Sequence, residues 1–101
     1  MIVAAGVSGL PRMTVHVPGS LRELTGGRGR LHFEARTVDE VLERIRETEP
    51  LLAGRLFADD GSVRRYINLF LNGSDLRHLE TADRTVSSDS VLSIVPSVAG
   101  G

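Results

Sequence analysis

The chain has 101 residues, 41% of them hydrophobic and 25% charged, with a formal net charge of -1. This composition predicts one soluble globular domain with a single modest core, and the balanced charge argues against a nucleic-acid partner. The absence of cysteine excludes disulfides, thiolate metal ligands and a cysteine nucleophile. All twelve basic residues are arginine, so the chain offers no lysine side chain to an isopeptide bond.

The beginning of the chain predicts an extension followed by a strand. Residues 1–12 show no consistent period and contain Gly6, Gly9 and Pro11, so we expect a disordered extension. Met13 opens an alternating strand and is a second candidate for the first residue of the functional protein. Neither a secretory signal nor a membrane-spanning run is evident, so we expect a cytoplasmic protein without a membrane partner.

A second strand over residues 30–36 leads into the best-defined element, a helix. Thr37 and Glu40 form a capping box at its start, and Pro50 enforces its end. Four apolar residues recur at i, i+3, i+4 and i+7 and predict a single buried stripe: Val38, Val41, Leu42 and Ile45. The apolar residues of the stretch 51–57 indicate a further short turn packed beneath the helix.

The second half of the chain predicts a hairpin and a last strand. Residues 66–71 alternate strongly, and Asn72-Gly73 is typical of a type I′ turn, since both residues tolerate a positive φ. A short strand over residues 75–77 follows, and a last strand over residues 90–95 is stopped by Pro96, which lacks an N–H. Two strands, a helix and further strands predict an α+β domain with one main helix on one face of a sheet.

Several polar groups suggest sites but are better explained by structure. His16, His32 and His78 lack the spacing of metal ligands, and we predict no metal site. The glycine-rich stretch 26–29 leads into a strand, whereas phosphate-binding loops open a helix. Asp59-Asp60-Gly61 lacks the other ligands of a calcium loop and is interpreted as a turn.

The most distinctive segment is the ending, in which five small residues follow Pro96: Ser97, Val98, Ala99, Gly100 and Gly101. Two terminal glycines raise the backbone entropy of the unfolded chain, which folding must remove, and they bury no side chain. An ordered domain therefore rarely needs them. Without Cβ atoms they can lie in a narrow channel of a partner and expose the terminal carboxylate to a catalyst. The alternative is an ordinary frayed terminus.

Alternation also predicts an apolar patch on the face of the sheet opposite the helix, made of Tyr66, Phe70, Val91 and Val95. Such a patch exceeds what solubility requires and indicates a surface for docking a partner. The alternative is that loops cover these side chains.

Two segments resemble the MoaD/ThiS family of ubiquitin-like sulfur carriers: residues 65–77, RYINLFLNGSDLR, and residues 92–101, LSIVPSVAGG. The first loop of the longer members of that family is similar to Pro18, Leu21, Arg22 and Thr25-Gly26-Gly27. The turn before the last strand is usually Gly-Asp in the family, whereas this chain has Asp89-Ser90.

The resemblance implies a β-grasp domain over residues 13–96, with a mixed sheet of four to five strands whose first and last members pair in parallel. It further implies a flexible tail, residues 97–101, in which an E1-like enzyme adenylates the carboxylate of Gly101 with ATP and Mg²⁺. A sulfur donor then replaces AMP and leaves a thiocarboxylate, which a biosynthetic enzyme accepts. We also expect the chain to bind no cofactor, to be no enzyme itself and to be monomeric when free.

Three readings stay open on the sequence alone. The first is a sulfur carrier for cysteine or molybdopterin synthesis, including the small subunit of molybdopterin synthase. The second is a protein modifier joined through Gly101 to lysines of its targets. The third is a plain β-grasp binding module with a frayed tail.

Overall fold

The computed structural model describes residues 9–80 and 84–97, which form one mixed sheet with helices on one side. The strands are β1 (Arg12–His16), β2 (Arg30–Glu34), β3 (Ile67–Leu71), β4 (Ser74–Asp75) and β5 (Val91–Pro96). The α-helices are α1 (Val38–Thr48) and α2 (Pro50–Leu56), and short 3₁₀ helices cover Gly19–Thr25 and Leu76–His78. None of the helices among these residues is long and apolar enough to cross a membrane.

The last strand lies in the middle of the sheet, whose order is β2-β1-β5-β3-β4. β5 pairs in parallel with β1, where Val15 faces Leu92, and antiparallel with β3, where Leu69 faces Ile94. The predicted α+β class and the five-stranded β-grasp sheet are therefore confirmed, as is the parallel pairing of the first and last strands.

Helix α1 forms for the reasons that the sequence indicates. The Thr37 hydroxyl accepts a hydrogen bond from the N–H of Glu40, and the Glu40 carboxylate accepts one from the N–H of Arg36. The capping box is confirmed, although its second bond reaches Arg36 rather than Thr37. All four predicted stripe residues, Val38, Val41, Leu42 and Ile45, are buried against the sheet.

The stretch after Pro50 is more regular than predicted. It forms the seven-residue helix α2, with Pro50 at its first turn. Proline suits that position because its missing N–H would have no intrahelical partner there. Leu52 and Leu56 are buried, whereas Leu51 is exposed. Pro50 thus ends one helix and begins the next, and only the first role was predicted.

The hairpin after β3 confirms the predicted turn but not the strand that follows it. Asn72 and Gly73 have φ values of 52° and 91°, as a type I′ turn requires. β4 ends at Asp75, and the prediction of a strand over residues 75–77 is wrong from Leu76 onward. The Asp75 carboxylate accepts a hydrogen bond from the N–H of Arg77, and this local cap starts a 3₁₀ turn instead.

Strand boundaries also differ from the prediction by one or two residues, and β2 ends at Glu34 rather than at Arg36. β1 begins at Arg12, and the carbonyl of Pro11 accepts a hydrogen bond from the N–H of Ala35. Pro96 does not stop the ladder, because it pairs with Ile67 and the N–H of Ser97 donates to the carbonyl of Tyr66 at 2.6 Å. Hydrogen-bonded and non-bonded pairs alternate between antiparallel strands, so Pro96 occupies a pair that needs no N–H.

Candidate functional site

The four predicted docking residues lie on the open face of the sheet, along β5 and the neighbouring strand β3. Tyr66, Val91 and Val95 are 40%, 39% and 42% exposed, and Phe70 is half-buried. Val95 faces Asn68 across β3 and β5, so Tyr66 and Phe70 are its diagonal neighbours. We call these four residues the open-face patch. Their placement agrees with the alternation of the sequence, while their role in docking stays a prediction.

A polar group that the sequence did not single out lies beside the open-face patch, at the edge where Asp75 pairs with Phe70. The guanidinium of Arg77 donates to the Oδ1 atom of Asn68 at 2.6 Å and to the Asp75 carboxylate at 2.8 Å. The hydrogen bond from Arg77 lowers the pKa of Asp75 to about 2, and Asp75 in turn raises the pKa of Arg77. The edge beside the patch therefore carries a fixed guanidinium whose orientation is set before any partner arrives.

The register of β5 on this face is held by the hairpin residue Asn72. Its Oδ1 atom accepts a hydrogen bond from the N–H of Val91 at 2.8 Å, and its own N–H donates to the carbonyl of Val91 at 2.9 Å. At the same end, the buried hydroxyl of Ser90 accepts a bond from the N–H of Ser87. Asp89 and Ser90 thus form the turn before β5, although they replace the Gly-Asp that is usual at this turn in the family.

The tail leaves the sheet at a defined place. The Ser97 N–H bond to Tyr66 holds the last described residue against β3, next to the open-face patch. The predicted tail residues Val98, Ala99, Gly100 and Gly101 lie outside the described residues, as do residues 1–8 of the predicted extension. Whatever follows Ser97 starts from the central strand of the sheet.

Within residues 9–80 and 84–97, no group of three or more His, Asp or Glu side chains could hold a metal ion. The Nδ1 atom of His32 lies 3.3 Å from the Thr14 hydroxyl, and His78 is the last residue of a 3₁₀ turn. The Gly26 region turns the chain into β2 with left-handed backbone, as a plain turn would.

The comparison with known proteins agrees with this geometry. The sequence profile of the ThiS family matches residues 15–101. A putative sulfur carrier protein from Archaeoglobus fulgidus is 29% identical over 87 residues, which cover 86% of this chain and 96% of the relative. Small archaeal modifier protein 3 from Haloferax volcanii is 35% identical over 65 residues, which cover 64% of this chain and 70% of the relative.

A solved structure shares the fold of this chain. The Amycolatopsis orientalis BexX/CysO complex contains a chain that is 30% identical to this one and superposes with a TM-score of 0.74. The match covers 88% of this chain and 99% of the other. The fold defines a ubiquitin-like β-grasp protein. This chain belongs to the ThiS family, and its role is that of a sulfur carrier.

Proposed function

We propose that the carboxylate of Gly101 is the group that carries sulfur. An ionised carboxylate is a poor electrophile, so an E1-like enzyme first joins it to AMP from ATP, with Mg²⁺, and releases pyrophosphate. Hydrosulfide supplied by a sulfur donor then attacks the acyl carbon and expels AMP, which leaves a thiocarboxylate on Gly101 with no change of oxidation state. The carrier contributes a substrate group, and the catalytic side chains and the nucleotide belong to the partner.

The observation that supports this proposal most is the position of Ser97, the last residue before the tail that the structure describes. β5 is paired on both sides, and it delivers Ser97 beside the open-face patch. The five residues after Pro96 span roughly 17 Å when fully extended. Ordering them costs on the order of 1–2 kcal/mol of backbone entropy per residue, which contacts of the open-face patch with the partner would offset. One surface docks while the tail enters a deeper pocket.

The sulfur acceptor follows by analogy with the relatives. The similarity to a relative named sulfur carrier protein CysO supports an acceptor in cysteine synthesis, and molybdopterin synthesis is the other candidate, with this chain as a synthase small subunit. A second function, conjugation of Gly101 to lysines of other proteins, is supported by the relative named small archaeal modifier protein 3.

The test is ATP-dependent thiocarboxylate formation on three variants, with the E1-like enzyme of the same organism. Deletion of Gly101 moves the terminal carboxylate back by one residue. One residue added after Gly101 converts its carboxylate into an amide and provides a different terminal carboxylate. Gly100→Val places a β-branched side chain where only a narrow backbone fits. We expect each variant to lose product formation and to keep the circular dichroism of the unaltered chain.

Intact mass spectrometry of the protein from its native host separates the alternatives. Replacement of one oxygen by sulfur supports the carrier proposal, and lysine-linked conjugates support the modifier. A plain binding module predicts neither product and no effect of the three variants. Thiocarboxylate formation by the chain lacking Gly101 would overturn the proposal.

A further inference from the structure

A cleft of about 610 Å³ lies on the helix side of the sheet and reaches the sheet edge, where Asp75 and Arg77, the polar group beside the open-face patch, form part of its wall. Its walls are α1, the loop between Phe57 and Ile67, and the 3₁₀ turn after β4. Much of its lining is apolar and comes from Leu42, Phe57, Val63, Ile67, Leu69 and Leu76. Cavities of 300–1,000 Å³ with such a lining and a few polar groups are typical of sites for small molecules.

The polar lining of the cleft has an excess of positive charge, with five arginines against three carboxylates. Two of the arginines are neutralised, because Arg46 pairs with Glu43 and Arg77 pairs with Asp75, each at 2.8 Å. The other three have no salt bridge to any residue that the structure describes: Arg64, Arg65 and Arg84.

Arg64 and Arg84 are held in place by the main chain. The Nη2 atom of Arg64 donates to the carbonyl of Gly54 at 3.2 Å, and that of Arg84 donates to the carbonyl of Leu76 at 2.9 Å. The Nε atom of each is enclosed and has no hydrogen-bond partner among residues 9–80 and 84–97. An enclosed donor without an acceptor makes the guanidinium charge costly to hold, and an anion in the cleft would lower that cost by charge attraction, without contacting Nε itself.

We infer that this cleft binds a small organic phosphate, namely a phosphate monoester whose apolar or aromatic body lies on the apolar lining. Two excess positive charges match the charge of about -1.5 to -2 that a phosphate monoester carries near pH 7, whereas a carboxylate carries only one. Guanidinium groups bind phosphate oxygens through paired N–H donors. The apolar body would be buried against Leu42, Val63 and Leu76.

This site can be tested separately from the proposed function, although Asp75 and Arg77 border both the cleft and the open-face patch. The cleft uses the helix-side residues Ile67 and Leu69 of β3, whereas the open-face patch uses Phe70 and Tyr66. The tail variants proposed above leave the cleft intact. Ligand binding can therefore be measured on a chain that forms no thiocarboxylate, and failure of one proposal leaves the other standing.

The experiment is a titration of the full chain with AMP, followed by the amide resonances in ¹H–¹⁵N spectra. AMP combines a phosphate monoester with an aromatic body, while inorganic phosphate and adenosine each supply one half of it. Phenyl phosphate tests whether a body other than a nucleoside suffices. We expect AMP and phenyl phosphate to shift the amides of residues 62–67, with dissociation constants at least about tenfold below those of the two halves.

Arginine variants locate the bound anion. Arg65→Gln removes an exposed charge that makes no hydrogen bond to a described residue, so it should leave the fold unchanged. Arg64→Gln removes a charge fixed at the cleft wall. We expect each to weaken AMP binding by about tenfold, the loss of one charge-assisted hydrogen bond. Arg30→Gln, on the exposed edge strand β2, is the matched control and should change binding less than about twofold.

Three results would overturn the inference. The first is absence of shifts with AMP and phenyl phosphate at about 10 mM, even if an acidic peptide binds in their place. The second is equal weakening by Arg30→Gln and Arg65→Gln, since that would indicate diffuse attraction to the whole surface. The third is equal affinity for inorganic phosphate and AMP, which would leave no role for the apolar lining. If Arg64→Gln unfolds the chain, Arg65→Gln decides the test.

Discussion

The two faces of the sheet use the same strands for different purposes. On β5, Leu92 and Ile94 point to the helices and are fully buried, while Val91 and Val95 point the other way and are about 40% exposed. Both sets are aliphatic, so composition alone does not distinguish them. The difference lies in what covers each face: α1 and α2 cover the first, and no described element covers the second. A small carrier can thus stabilise itself with one side of a strand and present the other to partners.

The largest expected effect comes from the helix side. Leu92→Ala removes a fully buried side chain from the central strand and should lower the free energy of unfolding by about 2–5 kcal/mol. Val91→Ala, the neighbouring residue on the open face, is the matched control and should cost less than about 1 kcal/mol. Urea unfolding of both variants measures the difference. Equal losses would mean that the two faces are equally buried and that the comparison fails.

The second effect is on binding. Phe70→Asp places a charge in the open-face patch, and we expect the affinity for the activating enzyme and for the acceptor to fall at least about tenfold, or about 1.4 kcal/mol. The control is Leu51→Asp, since Leu51 is 67% exposed but lies on α2, away from the open face. Titration calorimetry gives the affinities. Loss of the folded circular dichroism spectrum in Phe70→Asp would show that Phe70 belongs to the core.

A smaller effect concerns the residue that holds Val91 in register. Asn72→Ala places an alanine at φ 52° and removes the bond to the Val91 N–H, so we expect a loss of about 1–2 kcal/mol of stability. Asn72→Gly removes the same bond but accepts the positive φ, and it should cost less. Thermal unfolding of the pair separates the two contributions. If both variants lose the same stability, the backbone conformation at Asn72 contributes nothing.

The smallest effect is the pH dependence of the stability that the Asp75–Arg77 pair contributes. Hydrogen bonding by Arg77 lowers the pKa of Asp75 from 3.8 to about 2. A lowered pKa means that the stabilising contribution is present above pH 3.8 and is lost as the pH falls toward 2. We expect the Asp75→Asn variant to lack this loss of stability at low pH. Added salt should make the loss smaller in the unaltered chain. The carboxyl ¹³C titration of Asp75 measures its pKa, and a midpoint near 3.8 would contradict the assignment.

Local signals in the sequence predict much of this fold. The stripe from Val38 to Ile45 and the Asn72-Gly73 turn each depend on neighbours within a few residues, and both are confirmed. Alternation along β3 and β5 places the open-face patch correctly because a strand with one buried face has only one acceptable register.

Features that depend on distant contacts or local competition could not be predicted in the same way. Pro50 can end one helix or begin another. The packing of Leu52 and Leu56 decides that a second helix forms after it. The Asp75 cap ends β4 because a local hydrogen bond replaces a ladder bond. The arginine-lined cleft combines Arg64 and Arg84 with Leu42, residues with no common periodicity.

The parallel pairing of β1 and β5 also sets how the domain responds to force. β1 enters the sheet at Arg12 and β5 leaves it beyond Pro96, so tension between the two chain ends draws these strands lengthwise past each other. In that shear geometry the interstrand hydrogen bonds are loaded together, whereas an antiparallel pair pulled at one end opens bond by bond. A domain held at one chain end and pulled at the other should therefore resist unravelling. Single-molecule stretching would show this as one high-force rupture rather than a series of small ones.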